Sequence, residues 1–436
     1  MNCLRHPILN QKAAWLSALT ALLLTLAGCT PTPTGNVLAY LVIQQTGARL
    51  TRPVAVGTLT GRVTDPQAAP LAGATVVVAL ATGEPFTAVT DRDGRYRIEG
   101  VPVGYYVPAA VAPGYDEGEL TGLLGWPALA EIRAGETLVA PDLVLAPYQP
   151  APLPAQPALA AGLALSTTRT VTATFPAGAQ AEESHFTFVH NGLTIDSLRL
   201  YLPLDEALRQ DAATRPVLFA VYPTQLDDWV EASVGLAAQG YAVLALAPAA
   251  RGLDIEAHAA DARLVLAMLR SGAFGPAVST QPVVALGGSF SSAVLARLVR
   301  AVPDDIAGWV TVGGIGNAFS GAADFYSGRI VVPPEYALAI PALGPANLFP
   351  LPFLRYSPVY SAGSLPPTLI IHTEADAILR LEQAEQLAAA ARAAGVDVET
   401  FYYADVSHYL GIGANLTDEG EEMFYRILQF VARVKA

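Results

Sequence analysis

Two rhythms of apolar and polar positions follow one another along the chain. From residue 57 to about residue 147, short alternating segments sit between Gly, Pro and Asp turns. Residues 58–63 (TLTGRV) alternate, residues 70–74 (PLAGA) turn into the run TVVV at 75–78, and Asp91-Arg92-Asp93-Gly94 turns into RYRI at 95–98. A period of two marks strands, and turn signals at this spacing predict a small all-β sandwich. The Asp91/Asp93 pair reads as a hairpin turn, because no further carboxylates follow at calcium-ligand spacing. The proline-rich stretch QPAPLPAQP at 149–157 predicts a stiff, semi-extended linker.

The second rhythm is coarser. Residues 185–190 and 193–202 flank Asn191-Gly192, a strong hairpin signal. Past Pro216, apolar runs at 217–222, 241–247, 282–286, 309–312, 368–371 and 396–403 alternate with helical patterns. Those helices are expected at 230–239, 255–270, after Ser289, at 381–394 and at 419–434. Continuous apolar strands between helices predict a mostly parallel sheet with helices on both faces. The expected chain is therefore multidomain: a sandwich at 57–147, a linker at 148–157, and an α/β unit at 158–436.

The first residues follow neither rhythm. Arg5 and Lys12 precede an apolar run at 13–25, which ends in Leu26-Ala27-Gly28-Cys29. This order resembles the lipobox of bacterial lipoproteins. The resemblance implies a signal peptide at 1–28, a lipid on the Cys29 thiol, a tether at 29–56, and an exported protein held on a membrane. The only other cysteine, Cys3, falls in the segment to be removed, so no internal disulfide is expected. The apolar stretch 332–354 contains Pro333, Pro334, Pro341, Pro345, Pro350 and Pro352, which predicts looped cover and not a membrane span.

Composition narrows the function. Hydrophobic residues make up 52% of the 436 positions and charged ones 14%, enough for a large core. The formal charge of −13 repels phosphate backbones, and no basic stripe offsets it, so nucleic acid is not an expected partner.

Open α/β sheets bind ligands beyond the carboxyl ends of their strands. After the apolar run 283–286 comes Gly287-Gly288-Ser289-Phe290-Ser291. A nucleophile on a sharp strand-to-helix turn needs small residues two before and two after it. Gly287 and Ser291 meet that need, although a serine capping a helix explains the same residues. After the run 368–371 comes His372-Thr373-Glu374-Ala375-Asp376, and after Tyr403 comes Ala404-Asp405-Val406-Ser407-His408. Ser, Asp and His thus follow three strands in the chain order of α/β-hydrolases. Serine needs a base to take its proton. His408 is expected to do so, with Asp376 fixing the imidazole tautomer and Glu374 as the alternative acid. His372 is expected to be structural and His258 to lie on a helix surface. His185 and His190 share a strand without a metal-ligand set. No metal or cofactor is expected.

Two family resemblances can then be named. The segment GRVTDPQAAPLAGATVVV…TDRDGRYRIEGVPVGYY closely resembles the carboxypeptidase regulatory-like domain. In that family the module is usually an accessory or a spacer. Residues 185–436 resemble the α/β-hydrolase superfamily, nearest its dienelactone hydrolase and prolyl-oligopeptidase-like branch, through YAVLALAPAARG, LPPTLIIHTEADAIL and YYADVSHYLG. The family's His-Gly after the third strand is Tyr222-Pro223 here. Pro223 has no N–H, so the oxyanion donors are expected to be the N–H groups of Thr224 and Phe290. The region 313–364, where the superfamily often inserts a cap, is read as sheet cover or as an apolar acyl-pocket wall. The resemblance implies a serine hydrolase acting on a small ester, an expectation favoured over a peptidase because no propeller repeat is present. A catalytically silent binding protein, or a sandwich that binds cell-surface glycan, remain as alternatives.

Overall fold

The turn at Asp91 shows how local chemistry starts the first unit. Its Oδ1 accepts the N–H groups of Asp93 and Arg95, both at 2.9 Å, so Asp91 closes a tight turn. The flanking strands at 85–89 and 95–102 pair in different sheets, so the turn joins two sheets and is not the hairpin that the sequence predicts. The structure is a computed structural model that describes residues 55–122, 125–150, 153–155, 157–248, 254–334, 336–337, 339–404, 408 and 416–434. Residues 1–28, Cys29, most of the tether and the Arg251-Gly252 turn lie outside the described residues.

Ten strands build the first unit: β1 (Val56–Thr64), β2 (Thr75–Ala79), β3 (Pro85–Val89), β4 (Arg95–Pro102), β5 (Gly104–Tyr106), β6 (Ala109–Val111), β7 (Gly118–Glu119), β8 (Ala130–Ile132), β9 (Thr137–Val139) and β10 (Leu143–Val144). One sheet runs β10-β1-β4 and a second runs β3-β2-β6-β7. Leu59, Val63, Tyr96 and Ile98 meet Val76, Val78 and Ala110 between them. The strand β2 departs from simple alternation, because Val76, Val77, Val78 and Ala79 are all buried. Both of its faces are therefore covered.

The second unit carries a nine-stranded sheet: β11 (Ala164–Thr172), β12 (Gln180–His190), β13 (Leu193–Pro203), β14 (Leu218–Val221), β15 (Val243–Leu246), β16 (Val283–Gly288), β17 (Ile306–Val312), β18 (Thr368–Thr373) and β19 (Val398–Tyr403), in the order β11-β12-β13-β15-β14-β16-β17-β18-β19. Its first three strands are antiparallel neighbours, and pairing is parallel from β15 onward. The helices are α1 (Pro157–Ala160), α2 (Glu206–Ala212), α3 (Val230–Ala237), α4 (Ile255–Arg270), α5 (Phe290–Ala301), α6 (Ala318–Tyr326), α7 (Ala339–Ala342), α8 (Pro350–Arg355), α9 (Glu382–Ala393) and α10 (Asp418–Arg433). Helices α4, α5 and α9 share one core with one face of the sheet. Helices α3 and α10 cover the other face. The chain leaves β14 for β15 on one side and returns to β16 on the other, so the strand order reverses between β14 and β16. A crevice opens at such a reversal beyond the strands' carboxyl ends.

The two units on either side of the linker are packed together. The Tyr148 hydroxyl donates to the Arg300 carbonyl (2.7 Å), and Leu153 packs on the core of the second unit. Arg300 donates to the Tyr115 carbonyl and pairs with Glu117 at 3.1 Å, while Arg297 pairs with the same carboxylate at 3.4 Å. Val77, Ala79, Ala109 and Val111 of the sandwich form one apolar cluster with Phe319, Ala322, Ala346, Phe353 and Leu354. That cluster covers the outer face of β2. The described residues of the stretch 332–354 form the short helix α7 and most of α8 among turns.

Candidate active site

The nucleophile candidate sits where the sheet stops. Ser289 has φ +50° and ψ −128°, a left-handed conformation that a non-glycine residue adopts only when its surroundings hold it there. Its N–H is shared between the carbonyls of Gly313 (3.0 Å) and Val312 (3.2 Å) at the end of β17. A Cβ on Gly287 would stand 2.9 Å from the Val221 carbonyl oxygen and 2.8 Å from Leu295 Cδ1, so the turn closes only around glycine. Ser291, in the second small-residue position, is fully buried against this turn, and its hydroxyl has no hydrogen-bond partner among the described residues.

The acid loop follows β18. Asp376 Oδ1 accepts the N–H groups of Ile378 (2.8 Å) and Leu379 (2.9 Å), and Oδ2 lies 2.5 Å from His408 Nδ1. Burial pushes this carboxyl upward. The hydrogen bond and charge of His408, with the two backbone N–H groups, outweigh burial and hold it below the usual carboxylate range. Glu374, the alternative acid, is exposed, and its backbone N–H donates to the Tyr403 carbonyl. His372 is buried and its Nε2 lies 2.7 Å from the Leu379 carbonyl, which ties down the same loop. Burial lowers its pKa, against the opposing pull of the Leu379 carbonyl and Asp376.

Gly313 links the two halves. Its carbonyl holds the Ser289 N–H, and a Cβ at this position (φ +55°) would lie 3.0 Å from His408 Cε1 and 3.1 Å from Nδ1. Serine and imidazole thus both rest on one residue. Ser289, Phe290, His408 and Thr224 all line a single cavity of about 270 Å³. As the first residue of α5, Phe290 has an N–H without an intrahelical acceptor. Thr224 is held by the Trp229 indole N–H, which donates to its Oγ1 (2.8 Å), and Trp229 stacks on Tyr222 at 4.7 Å. The Tyr222 hydroxyl, pushed up to about 12 by burial, shares a hydrogen bond with Ser233.

Most of the remaining wall comes from the region 313–364, including Ile330, Tyr336, Ile340 and Phe353, with Ile255, Ile378 and Leu379 completing it. Tyr336 also donates to the Pro223 carbonyl at 2.9 Å, a contact that no sequence pattern announces. A smaller apolar cavity of about 110 Å³ lies behind Gly287 and Gly288, between α3 and α10, and includes neither Ser289 nor His408.

Other histidines take structural places. His258 was expected on a helix surface, but the α4 face that carries it is covered, and its ring is buried and stacked near Phe290 at 6.4 Å. His185 pairs with buried Glu183 at 2.9 Å, and His190 with Asp261 at 2.5 Å. Among the described residues no three His, Cys, Asp or Glu side chains gather as a metal site. The Cys29 lipidation site and the residues flanking His408 (405–407 and 409–415) lie outside the described residues.

Residues 58–137 match the carboxypeptidase regulatory-like domain. The described residues form a β-sandwich of that kind followed by a mostly parallel, helix-covered sheet. No curated protein matches it. Among solved structures it is similar to the acylaminoacyl peptidase of Pyrococcus horikoshii, at 14% identity and a TM-score of 0.44, over 83% of this chain and 54% of that one. The chain thus spans about half the length of that peptidase. It is also similar to an esterase of Rhizomucor miehei (15% identity, TM-score 0.46, covering 63% and 87%). A third is a thermophilic esterase of the Planctomycetes species Thermogutta terrifontis in a propionate-bound form (16% identity, TM-score 0.40, covering 55% and 90%).

Proposed function

We propose that the protein is a serine hydrolase that cleaves small carboxylic esters through an acyl-enzyme. The observation that carries this reading is the meeting of Ser289 and His408 on Gly313, at the rim of one apolar cavity, with Asp376 behind the imidazole.

With Nδ1 committed to Asp376, Nε2 is the ring nitrogen that acts on Ser289. It takes the hydroxyl proton as Oγ bonds to the ester carbonyl carbon. The N–H groups of Phe290 and Thr224 hold the developing oxyanion. The C–O bond to the alcohol then breaks, and the imidazolium returns its proton to the leaving oxygen. Water repeats the sequence on the acyl-serine and releases the carboxylic acid. The cavity lies just below the range of about 300–1,000 Å³ usual for ligand pockets, which favours a compact acyl group over a peptide. Export and anchoring through a lipid on Cys29 belong to the same reading, and mass spectrometry of the membrane-extracted protein tests them.

The test of the chemistry is Ser289→Ala. It should abolish p-nitrophenyl ester hydrolysis and fluorophosphonate labelling while the circular dichroism spectrum stays unchanged. Full activity in that variant would remove Ser289 from the mechanism.

A further inference from the structure

We infer that the β-sandwich is part of the acyl-pocket wall, and that Val77 and Val111 help to set which acyl chains the cavity accepts. The inference rests on the esterase reading for its substrate class, and on packing for everything else.

Ala322 and Phe353 line the cavity. Both also belong to the apolar cluster whose other half is Val77, Ala79, Ala109 and Val111 of the sandwich. The wall is therefore one side chain thick, with substrate space on one side and a different domain on the other. Helix α8, which carries Phe353, packs on β2 and β6, the strands of Val77 and Val111. At the tip of the β2–β3 hairpin, Gly83 sits on α6 with φ +105°. A Cβ there would lie 2.5 Å from the Phe319 carbonyl oxygen and 2.8 Å from Ala322 Cβ. Hydrogen bonds pin the same surface: Val107 N–H to the Asn347 carbonyl (2.7 Å), and Asn347 Nδ2 to the Tyr105 carbonyl (2.9 Å).

Helices α6 and α8 are short, and their outer apolar faces have the sandwich as cover. Close-packed interiors transmit volume changes to neighbouring side chains. Space opened at Val77 or Val111 lets Phe353 retreat and lengthens the cavity. Extra volume at Val77 drives the ring inward and shortens it. A spacer domain has neither effect.

The experiment uses the full chain in detergent with Val77→Ala, Val111→Ala and Val77→Ile. Two readouts are taken: kcat/KM on p-nitrophenyl acetate and octanoate, and calorimetric binding of butyrate and octanoate. The octanoate preference should rise roughly tenfold in the alanine variants and fall by a similar factor in Val77→Ile, the scale of one methylene in an apolar pocket. An unchanged preference in folded variants of both kinds overturns the inference. If the unmodified protein hydrolyses no ester, the esterase reading fails, and the carboxylate-binding ratios still decide whether the sandwich shapes the wall. Should an alanine variant not fold, Val77→Ile alone gives the sign.

Discussion

Asp376 and His408 are joined carboxylate to imidazole at 2.5 Å, and the second Asp376 oxygen is held by two backbone N–H groups. The acid is thus fixed at both oxygens, which leaves the imidazole a single orientation and a single tautomer. Asp376→Asn keeps the shape and removes the charge. On the proposed mechanism, kcat on p-nitrophenyl acetate should fall about 10⁴-fold with KM little changed, as loss of the orienting carboxylate does in Ser-His-Asp triads. A similar fall from Glu374→Gln instead would move the acid role to that residue.

Gly313 offers a separate handle on the same geometry. Gly313→Ala places a methyl group against the His408 ring at a positive φ that alanine tolerates poorly. The change acts between serine and histidine by displacement and leaves the chemistry of both side chains intact. Fluorophosphonate labelling should slow at least about tenfold, because a misplaced base forfeits the near-attack geometry. Labelling at the unmodified rate would show that the imidazole does not depend on this contact.

Ser291 fills the position where a glycine is usual in nucleophile turns, and its buried hydroxyl lacks a partner among the described residues. An unsatisfied buried hydroxyl costs about 1–3 kcal/mol. Ser291→Ala should therefore raise the urea midpoint by the equivalent of about 1 kcal/mol and leave ester hydrolysis intact. A destabilised variant would mean that the hydroxyl is satisfied in solution.

His372 predicts a pH dependence of stability. Its folded pKa is lowered by burial, so below about 6.5 the unfolded chain takes up a proton that the folded chain does not. Stability is lost as the pH falls from that value toward the lowered one. Asp376 does not interfere, because its lowered folded pKa makes its contribution complete above about 3.9 and lost only below. His372→Gln should flatten the decline in denaturant midpoint between pH 7.5 and pH 5. An equally steep decline in the variant would assign it to other groups.

Much of this was local and therefore visible in the chain. The helix at Ile255–Arg270 follows from its apolar spacing, and its Asp254 cap is a short-range contact. The runs at 283–286 and 368–371 mark buried strands because both faces are apolar. Ser289, Asp376 and His408 stand just past three strand ends, and strand ends are set by sequence punctuation. The cover of β2 left a trace too: the unbroken run at 75–78 departs from one-sided alternation.

The sequence by itself determined the two kinds of sheet, the order of their strands along the chain, and which residue types follow each strand. Only the tertiary structure decided that Asp376 and not Glu374 meets His408, that His258 is buried, and that the sandwich leans on the pocket. Period and turn chemistry act over a few neighbouring residues. These outcomes depend on surfaces brought together by sheet order and by packing between distant segments, where every candidate carboxylate looks alike until the fold gives one of them the imidazole.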